Sequence, residues 1–402
     1  MPSSDIHSIS NKGLLRRLKR HVIGGEHLFF AATSPGLERL CLKELRTIMP
    51  ESKNIVCVEG GVEFRGCLTD CYRVNLHSRI ANRILMRLEN FKATNFIQLE
   101  KTLFKLPWEL YLNSAKDLTF KISSRHSRLY HTGAVEDHFH RAISDRLTQC
   151  GLNKADSPGV VGAQTVFIRV ADDRFYISMD STGDHLHKRG IKKHAAKAPI
   201  RETLAAAAIM MADHDPNEPL VDPMCGSGTF AIEAAMMAGK IPAGWFRDFA
   251  FRDWPAFRSR QWEYIRKQAA EKFSKASEAT VFASDMDTDA VHRLENRVKR
   301  YGLSHTICVF SKDFFDIYPK TFVDQAGLVM INPPYGRRIG QPGDRKRFYT
   351  SIFDKLIKDF RGWKIGLMVP DKRFVELCPF KVKTYPFFHG GLKLTLVTGR
   401  IP

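Results

Sequence analysis

The chain has 402 residues, of which 44% are hydrophobic, 11% aromatic and 26% charged. This length is sufficient for two or three compact domains, and the composition excludes an intrinsically disordered protein. The longest apolar run, residues 204–212, is about half as long as a membrane-spanning helix, so we predict no membrane segment. Residues 1–25 lack the apolar core of a secretory signal, and we therefore expect a cytoplasmic protein.

The chain is strongly basic, with 62 lysines and arginines against 43 aspartates and glutamates and a formal net charge of +19. Both halves of the chain, divided at residue 200, carry part of this excess. A nucleic acid that lies across the whole molecule would account for the distribution, because each phosphate that a protein neutralises releases counterions. A soluble surface that happens to be basic is the competing interpretation.

The eight cysteines are scattered along the chain and include no C-x-x-C pair. In a chain of this length, that arrangement argues against a zinc ribbon or a disulfide framework. The histidine spacings also match no standard metal site. We therefore predict reduced thiols and no bound metal.

The segment from residue 26 to about residue 183 combines short helical and strand patterns. Apolar residues at helical spacing predict helices over residues 36–49, 72–87 and 135–150. Alternating runs predict strands over residues 55–58, 61–64, 118–123, 165–170 and 174–180. We expect an α+β region built from small antiparallel sheets.

A basic connector, residues 184–201, leads into a predicted helix over residues 202–211, after which strand, turn and helix alternate. Strands are predicted over residues 219–221, 280–283, 306–310, 328–331, 365–369, 384–388 and 392–397, with helices over residues 230–238, 288–301 and 348–360. This alternation is typical of an α/β domain with a mostly parallel, doubly wound sheet. The last two strands are so close in sequence that they must form an antiparallel hairpin at the sheet edge.

The first strand of this α/β domain leads into the glycine-rich turn Asp222-Pro-Met-Cys-Gly-Ser-Gly-Thr229. Its glycines let a ligand approach the backbone at a helix N-terminus, which favours a nucleotide-like cofactor. The turn also satisfies G-x-G-x-x-A, so alone it fits a dinucleotide as well. The candidate cofactor-binding residues in the turn are Asp222, Pro223, Cys225, Gly226, Ser227, Gly228 and Thr229.

Two further acids follow later strands of the same sheet. Asp285 ends the second strand, where a carboxylate can accept hydrogen bonds from ribose hydroxyls, and Met286 comes next. Asp313, followed by Phe314, comes after the third strand and is a candidate acceptor for an adenine amino group. A helix cap is the competing interpretation of this acid. The length of the first crossover predicts an insertion over residues 245–273.

The tetrapeptide Asn332-Pro333-Pro334-Tyr335 follows the fourth strand. The exocyclic amine of a nucleobase is a poor nucleophile, since its lone pair is delocalised into the ring. If the Asn332 side-chain oxygen and the Pro333 carbonyl each accept one N–H, the lone pair is directed at an incoming methyl group, for which S-adenosylmethionine is the donor. The prolines would fix the backbone and Tyr335 would stack on the base.

Taken alone, this tetrapeptide favours a proline-rich turn. Its position at the carboxyl end of a sheet strand, after a cofactor turn and two acids, favours catalysis instead.

These motifs resemble those of class I S-adenosylmethionine-dependent methyltransferases that modify exocyclic amines. Within that class, the chain is similar to the THUMP-containing 23S ribosomal RNA guanine-N2 methyltransferases, and specifically to the N-terminal half of the fused large-subunit enzymes. The further matching stretches are residues 127–132, 184–190, 196–202 and 247–251, with Trp254.

The resemblance implies S-adenosylmethionine as cofactor and RNA as partner, either 23S ribosomal RNA or a large-subunit precursor. It also implies a ferredoxin-like subdomain at residues 26–75, a THUMP RNA-binding domain at 76–183 and a Rossmann-like methyltransferase domain at 202–402. The basic linker at 184–201 lies between the last two, and a basic extension at residues 1–25 lies outside the resemblance.

The leading hypothesis is therefore methylation of the N2 amine of a guanine in 23S ribosomal RNA. Among enzymes, the alternative substrates are a tRNA guanine and the N6 amine of adenine. A non-catalytic RNA-binding assembly factor is the alternative from a different class.

Basic residues near the matching motifs are candidates for contacts with RNA phosphates. They are Arg125, Arg128, Lys188, Arg189, Lys192, Lys193, Lys197, Arg337 and Arg338. For each residue alone, a solvated surface charge is the competing interpretation.

Overall fold

The computed structural model describes residues 11–113, 118–152, 163–191, 200–274, 280–334, 342–389 and 391–402. This part of the chain forms two seven-stranded sheets, one in each half of the sequence. The C-terminal half is an α/β unit with a mostly parallel sheet, and the N-terminal half is an α+β unit with a mostly antiparallel sheet, as the sequence predicts.

The N-terminal half begins with helix α1, Asn11–Leu18, which continues into a short π-helical turn, Lys19–Ile23. The further helices are α2 Glu38–Ile48, α3 Leu68–His77, α4 Phe96–Lys105 and α5 Thr132–Gln149. The strands are β1 His27–Ala32, β2 Ile55–Val58, β3 Gly61–Gly66, β4 Arg83–Lys92, β5 Leu118–Arg125, β6 Gln164–Ala171 and β7 Arg174–Asp180.

These strands form one sheet in the order β2-β3-β1-β4-β7-β6-β5. Neighbours are antiparallel except β5 and β6, which run parallel. The expectation of several small antiparallel sheets is therefore wrong. Strand β4 joins the two groups of strands, since it pairs with β1 on one side and β7 on the other.

The predicted helix over residues 72–87 is also wrong in its second half. Helix α3 ends at His77, and β4 follows. The cause is a buried carboxylate on α2: Glu44 accepts hydrogen bonds from the Ser78 hydroxyl and the Arg79 backbone N–H, each at 2.7 Å. These tertiary contacts hold the chain in an extended conformation at Ser78, where helical spacing alone predicts continuation.

The C-terminal half contains helices α6 Glu202–Met211, α7 Thr229–Ala238, α8 Ser259–Ala270, α9 Thr288–Arg300 and α10 Pro342–Asp359. Its strands are β8 Leu220–Asp222, β9 Val281–Asp285, β10 Ile307–Ser311, β11 Leu328–Ile331, β12 Lys364–Val369, β13 Val382–His389 and β14 Leu392–Arg400. Their order is β10-β9-β8-β11-β12-β14-β13.

The first five strands in that order are parallel, while β14 runs antiparallel to both β12 and β13. The predicted doubly wound sheet with a C-terminal hairpin is thus confirmed. The chain order reverses direction between β8 and β11, and ligands of open α/β sheets bind beyond the carboxyl ends of strands at such a switch point.

The predicted insertion packs against the N-terminal half. It contains a 3-10 turn, Ala250–Asp253, and α8. Tyr72 of α3 stacks on Phe251 with ring centroids 4.4 Å apart, and Trp262 of α8 meets both rings edge-on. Buried aromatic contacts of this kind fix the two halves against each other.

No helix in the described ranges combines the length and the apolar character that a membrane crossing requires.

Candidate active site

The candidate site lies at one edge of the C-terminal sheet. Strands β9, β8 and β11 are adjacent and parallel, with Asp222 level with Ala283 and Val221 level with Val329. Asp285 ends β9, and Asn332 directly follows β11. Because neighbouring strands lie about 4.8 Å apart, the structure brings together three predicted features: the glycine-rich turn, the ribose-binding candidate and the catalytic candidate.

The glycine-rich turn is held by one hydrogen bond to the neighbouring strand β9 and one within the turn itself. The Cys225 N–H donates to the Ser284 carbonyl at 2.9 Å, and the Gly228 N–H donates to the Cys225 carbonyl at 2.7 Å. Gly226 and Gly228 have φ angles of 49° and 70°, in the left-handed region that favours glycine. The turn therefore has the conformation that its two glycines were expected to permit.

The residues of the turn differ in their exposure to solvent. Gly226 and Ser227 are partly exposed, and no described atom lies within 4 Å of the position that a Cβ on Gly226 would occupy. The predicted residues Asp222, Pro223, Cys225 and Thr229 are buried. The open side of the turn is therefore at Gly226 and Ser227.

Asp222 contacts the helix that follows the turn. Its Oδ2 accepts from the Ala231 N–H at 3.3 Å, and only 1% of the residue is exposed. A carboxylate at a helix N-terminus is favourably placed relative to the helix dipole. The contact suits a residue that positions the turn.

Asp285 is the last residue of β9, and its carboxylate binds the glycine-rich turn. Its Oδ2 accepts from the Gly226 N–H at 2.8 Å, and its Oδ1 accepts from the Asp287 N–H at 3.0 Å. Each carboxylate oxygen can accept a further hydrogen bond, so the group can still receive ribose hydroxyls. Met286, beside it, is 74% exposed, which provides apolar surface next to the carboxylate.

Asp313 caps the short 3-10 helix Phe314–Asp316, since its Oδ1 accepts from the Phe315 N–H at 2.9 Å. The capping interpretation is therefore confirmed. Phe314 is 2% exposed and packs among other aromatic rings, so its side chain offers the cleft little surface. A contact of Asp313 with an adenine amino group stays a prediction, which the second carboxylate oxygen would serve.

The tetrapeptide that contains the catalytic candidate Asn332 begins directly after β11, as predicted. Asn332 is half-buried, Pro333 is buried and Pro334 is exposed. Tyr335, Arg337 and Arg338 lie outside the described residues. The half-buried position of Asn332 suits a side chain that meets a ligand in a cleft, since a fully exposed amide would be solvated by water.

One residue of the site was not predicted. Arg297 of α9 donates from Nη1 to the Ser227 carbonyl at 2.7 Å, and so holds the glycine turn at the residue next to the one that Asp285 binds. Burial lowers the pKa of Arg297, while the charge of Glu202 opposes this change. The sequence contains no signal for this contact, because an arginine on an amphipathic helix is usually a solvated surface residue.

The candidate phosphate contacts divide into three groups. Arg125 and Arg128 are exposed, and Lys188 is exposed with an ion pair to Asp184 at 2.7 Å. Lys192, Lys193 and Lys197 lie outside the described residues. Arg189 is the exception described next.

The prediction that Arg189 contacts RNA is wrong. It is 3% exposed, and its Nε donates to Glu233 Oε1 at 2.9 Å. A guanidinium that is buried and paired cannot reach a phosphate in solution. Its position in a run of basic residues gave no indication of this burial.

The arrangement fits a nucleoside-bearing cofactor. An open backbone turn at a helix N-terminus, an acid on the next strand and exposed apolar surface are the features that hold an adenosine in a doubly wound sheet. Among the described residues, no group of three or more His, Cys, Asp or Glu side chains is arranged to hold a metal ion.

Alanine substitutions at the two glycines of the turn should have different effects. At Gly228, a Cβ would lie 2.3 Å from Leu294 Cδ1, so Gly228→Ala should lower both the melting temperature and the affinity for cofactor. At Gly226, the Cβ would enter only the open cleft. Gly226→Ala should therefore lower the affinity at least about tenfold at a cost of roughly 1 kcal/mol in stability.

Thermal melts and cofactor titrations of the two variants test this difference. Equal losses of stability in the two variants would contradict the geometry assigned to the turn.

Comparisons with known proteins agree with this geometry. Residues 189–397 match a family profile described as "RMKL-like, methyltransferase domain". Residues 28–85 match a profile described as "RlmL ferredoxin-like domain". The first match covers more than half of the chain and includes the whole candidate site.

Two kinds of curated relatives are similar to the chain. "Ribosomal RNA large subunit methyltransferase K/L" of Methylococcus capsulatus is 34% identical over 90% of this chain and 50% of its own length. "Putative RNA methyltransferase YpsC" of Bacillus subtilis is 31% identical over 90% of this chain and 93% of its own length. The chain thus spans about half the length of the first kind and nearly all of the second.

Solved structures of methyltransferases are also similar to the chain. A crystal structure described as a "putative methyltransferase complexed with SAH" has a TM-score of 0.82 and 27% identity, covering 93% of this chain and 97% of its own. A "predicted N6-adenine-specific DNA methylase" from Listeria monocytogenes has a TM-score of 0.82 and 26% identity, covering 94% and 97%. The predicted class I methyltransferase fold and its cofactor, S-adenosylmethionine, are thereby confirmed.

Proposed function

The chain belongs to the RMKL-like methyltransferase family, and we propose that it transfers the methyl group of S-adenosylmethionine to the N2 amine of a guanine in 23S ribosomal RNA. The names of the longer relatives, of which the chain spans about half, support a large-subunit ribosomal RNA as substrate. Free RNA and a large-subunit precursor are both compatible with this proposal. The reaction would take place in the cytoplasm, where bacteria assemble their ribosomes.

The observation that carries the proposal is the position of Asn332. It follows β11, the neighbour of β8, and the turn that follows β8 is held by hydrogen bonds to Asp285 and Arg297. The nucleobase amine that receives the methyl group would therefore meet the cofactor at the switch point of the sheet, between β8 and β11.

The chemistry requires two hydrogen-bond acceptors and an electrophile. S-adenosylmethionine supplies a methyl group bound to a positively charged sulfur. The Asn332 side-chain oxygen and the Pro333 carbonyl accept the two N–H groups of the amine, which directs the nitrogen lone pair at the methyl carbon. The new C–N bond forms as the C–S bond breaks, the sulfur keeps the electron pair, and the amine then loses a proton to water.

The same acceptors would serve the N6 amine of adenine, and a similar solved structure is described as an N6-adenine-specific DNA methylase. A tRNA guanine is a further alternative, and an RNA-binding assembly factor without catalysis is the alternative from another class. The experiment must therefore identify both the modified base and the RNA.

We would incubate the purified protein with labelled S-adenosylmethionine and total RNA from a strain that lacks it, separate ribosomal RNA from tRNA, and then map the label by mass spectrometry of nuclease digests. Labelled N2-methylguanine in 23S RNA is the expected result. Label on adenine or in tRNA would favour an alternative substrate, and RNA binding without any label would favour the assembly factor.

Asp285→Ala should weaken cofactor binding at least about tenfold, because the variant loses the ribose acceptor and the bond to Gly226. Isothermal titration with S-adenosylhomocysteine measures the change. Asp316→Ala, which removes an exposed carboxylate at the end of the nearby 3-10 helix, is the matched control. An unchanged affinity in Asp285→Ala would refute the ribose assignment.

A further inference from the structure

The segment that follows β12 lies at the same edge of the sheet as the candidate catalytic tetrapeptide. Strand β11 runs parallel between β8 and β12, and Ile331 is level with Leu367. The residues after β12 therefore leave the sheet beside Asn332, on the side away from the glycine-rich turn. They include a 3-10 helix, Lys372–Leu377.

This 3-10 helix is anchored to α10. The Phe374 ring stacks on the ring of Tyr349, with centroids 4.3 Å apart, and Tyr349 is fully buried. Helix α10 is itself the helix that follows the tetrapeptide in the chain. Side chains that project from the 3-10 helix are therefore carried by a packed element, which is what a precise contact with a ligand requires.

One carboxylate holds the guanidinium of Arg373 in a defined orientation. Asp371 Oδ2 accepts from Arg373 Nε at 2.9 Å and from Nη2 at 2.6 Å, and Asp371 Oδ1 accepts from the Arg373 backbone N–H at 2.9 Å. The Arg373 side chain is nevertheless 84% exposed. The N–H groups at its far end, on Nη1 and Nη2, make no further hydrogen bond with a described residue, so they are oriented and available.

The oriented guanidinium suits a base more than a phosphate. Asp371 already balances the charge of Arg373, so the direction of the remaining N–H groups determines what they bind. Two parallel N–H groups match the adjacent O6 and N7 acceptors of guanine, a common specific contact between arginine and a base. Lys372, which is exposed and has no ion pair with a described residue, is the better candidate for a phosphate.

The pair of acceptors O6 and N7 also distinguishes guanine from adenine in this cleft. A guanine held at Asn332 by its N2 amine presents O6 and N7 on a part of the base away from that amine. An adenine held by its N6 amine has its corresponding edge at Asn332, and it offers no second pair of adjacent acceptors. Since Asn332 and Pro333 accept either amine, discrimination between the two bases requires a further residue.

We infer that Arg373 is a specificity-determining residue that donates to O6 and N7 of the target guanine, and that Asp371 is the positioning residue that orients it. This inference rests on the proposed function, because it takes guanine N2 as the amine that is methylated. The base is then recognised from the side of β12, while the cofactor meets it from the side of β8.

The test compares two forms of one short single-stranded RNA, which carries either guanine or 7-deazaguanine at the position identified by the mapping experiment. The analogue keeps N2 and O6 but has a C–H group in place of N7. The unsubstituted protein should methylate the guanine RNA with a kcat/KM at least about tenfold higher, because the analogue loses one charge-assisted hydrogen bond. In Arg373→Ala, the two RNAs should react within about twofold of each other.

Lys372→Ala is the matched control, since it removes an exposed cation from the same 3-10 helix. It should leave the ratio of the two kcat/KM values unchanged, even where a lost phosphate contact lowers both values. Asp371→Ala should reduce the ratio only partly, because the guanidinium remains but is no longer held. Melting temperatures establish that each variant is folded.

The possible outcomes separate this inference from the proposed function. An equal loss of kcat/KM for both RNAs in Arg373→Ala would assign the arginine to a phosphate and overturn the inference. An unsubstituted protein that does not distinguish the two RNAs would also overturn it, and in both cases the observed methylation of guanine would leave the proposed function intact. Absence of methyl transfer to guanine would contradict the proposed function, and the inference with it.

Discussion

Replacing Asn332 with alanine should lower the rate of methyl transfer by about 10²- to 10³-fold or more, the effect of removing one preorganised group from a polar transition-state site. The side chain is half-buried at the end of β11 and approaches the cleft from the strand next to the glycine turn. It does not belong to the turn that holds the cofactor. Cofactor affinity should therefore stay within about threefold of the original.

Single-turnover methylation and a cofactor titration on the same preparation test this expectation. Asn217→Ala, which removes an exposed asparagine from a turn before β8, is the matched control. Asn332→Asp keeps a side-chain oxygen acceptor and should retain more activity than the alanine variant. A rate in Asn332→Ala close to that of the control would refute the assigned role.

Most of the C-terminal fold could be predicted because buried parallel strands are apolar throughout. Leu328–Ile331 is fully buried and is recognisable as a strand from its sequence alone. The prediction failed where a distant side chain decides local structure. Helix α3 ends before Ser78, where Glu44 of another helix accepts hydrogen bonds from Ser78 and Arg79. No local pattern contains that information.

In the candidate site too, local motifs could be predicted from the sequence, whereas contacts between distant residues could not. Glycines, an acid and Asn332 at successive strand ends are visible as motifs, because their roles depend on the strand that carries them. Arg297 was missed because its role depends on the distant Ser227 carbonyl. Arg189 was misassigned because its role depends on the distant carboxylate of Glu233.

Glu233 should be a costly buried charge to remove. It is fully buried on α7, the helix that begins at the glycine turn, and it pairs with Arg189 at 2.9 Å and Arg79 at 3.4 Å. Arg79 also donates to the carbonyls of Met236 and Ile241, at 3.1 and 2.6 Å. Burial lowers the pKa of Arg79, and the charge of Glu233 opposes that change.

Glu233→Ala would leave two buried guanidinium groups without their carboxylate, so unfolding should become easier by about 3–5 kcal/mol. The Glu233→Gln variant, which keeps the shape of the side chain but removes its charge, should also be less stable than the unsubstituted protein. Glu218→Gln breaks a partly exposed pair with Lys364 and should cost about 1 kcal/mol or less. Urea unfolding measures all three variants. Since Arg79 lies in the N-terminal half of the chain and Glu233 in the C-terminal half, protease cleavage between the two halves should increase in parallel. Losses in Glu233→Ala no larger than in Glu218→Gln would show that this network does not hold the two halves together.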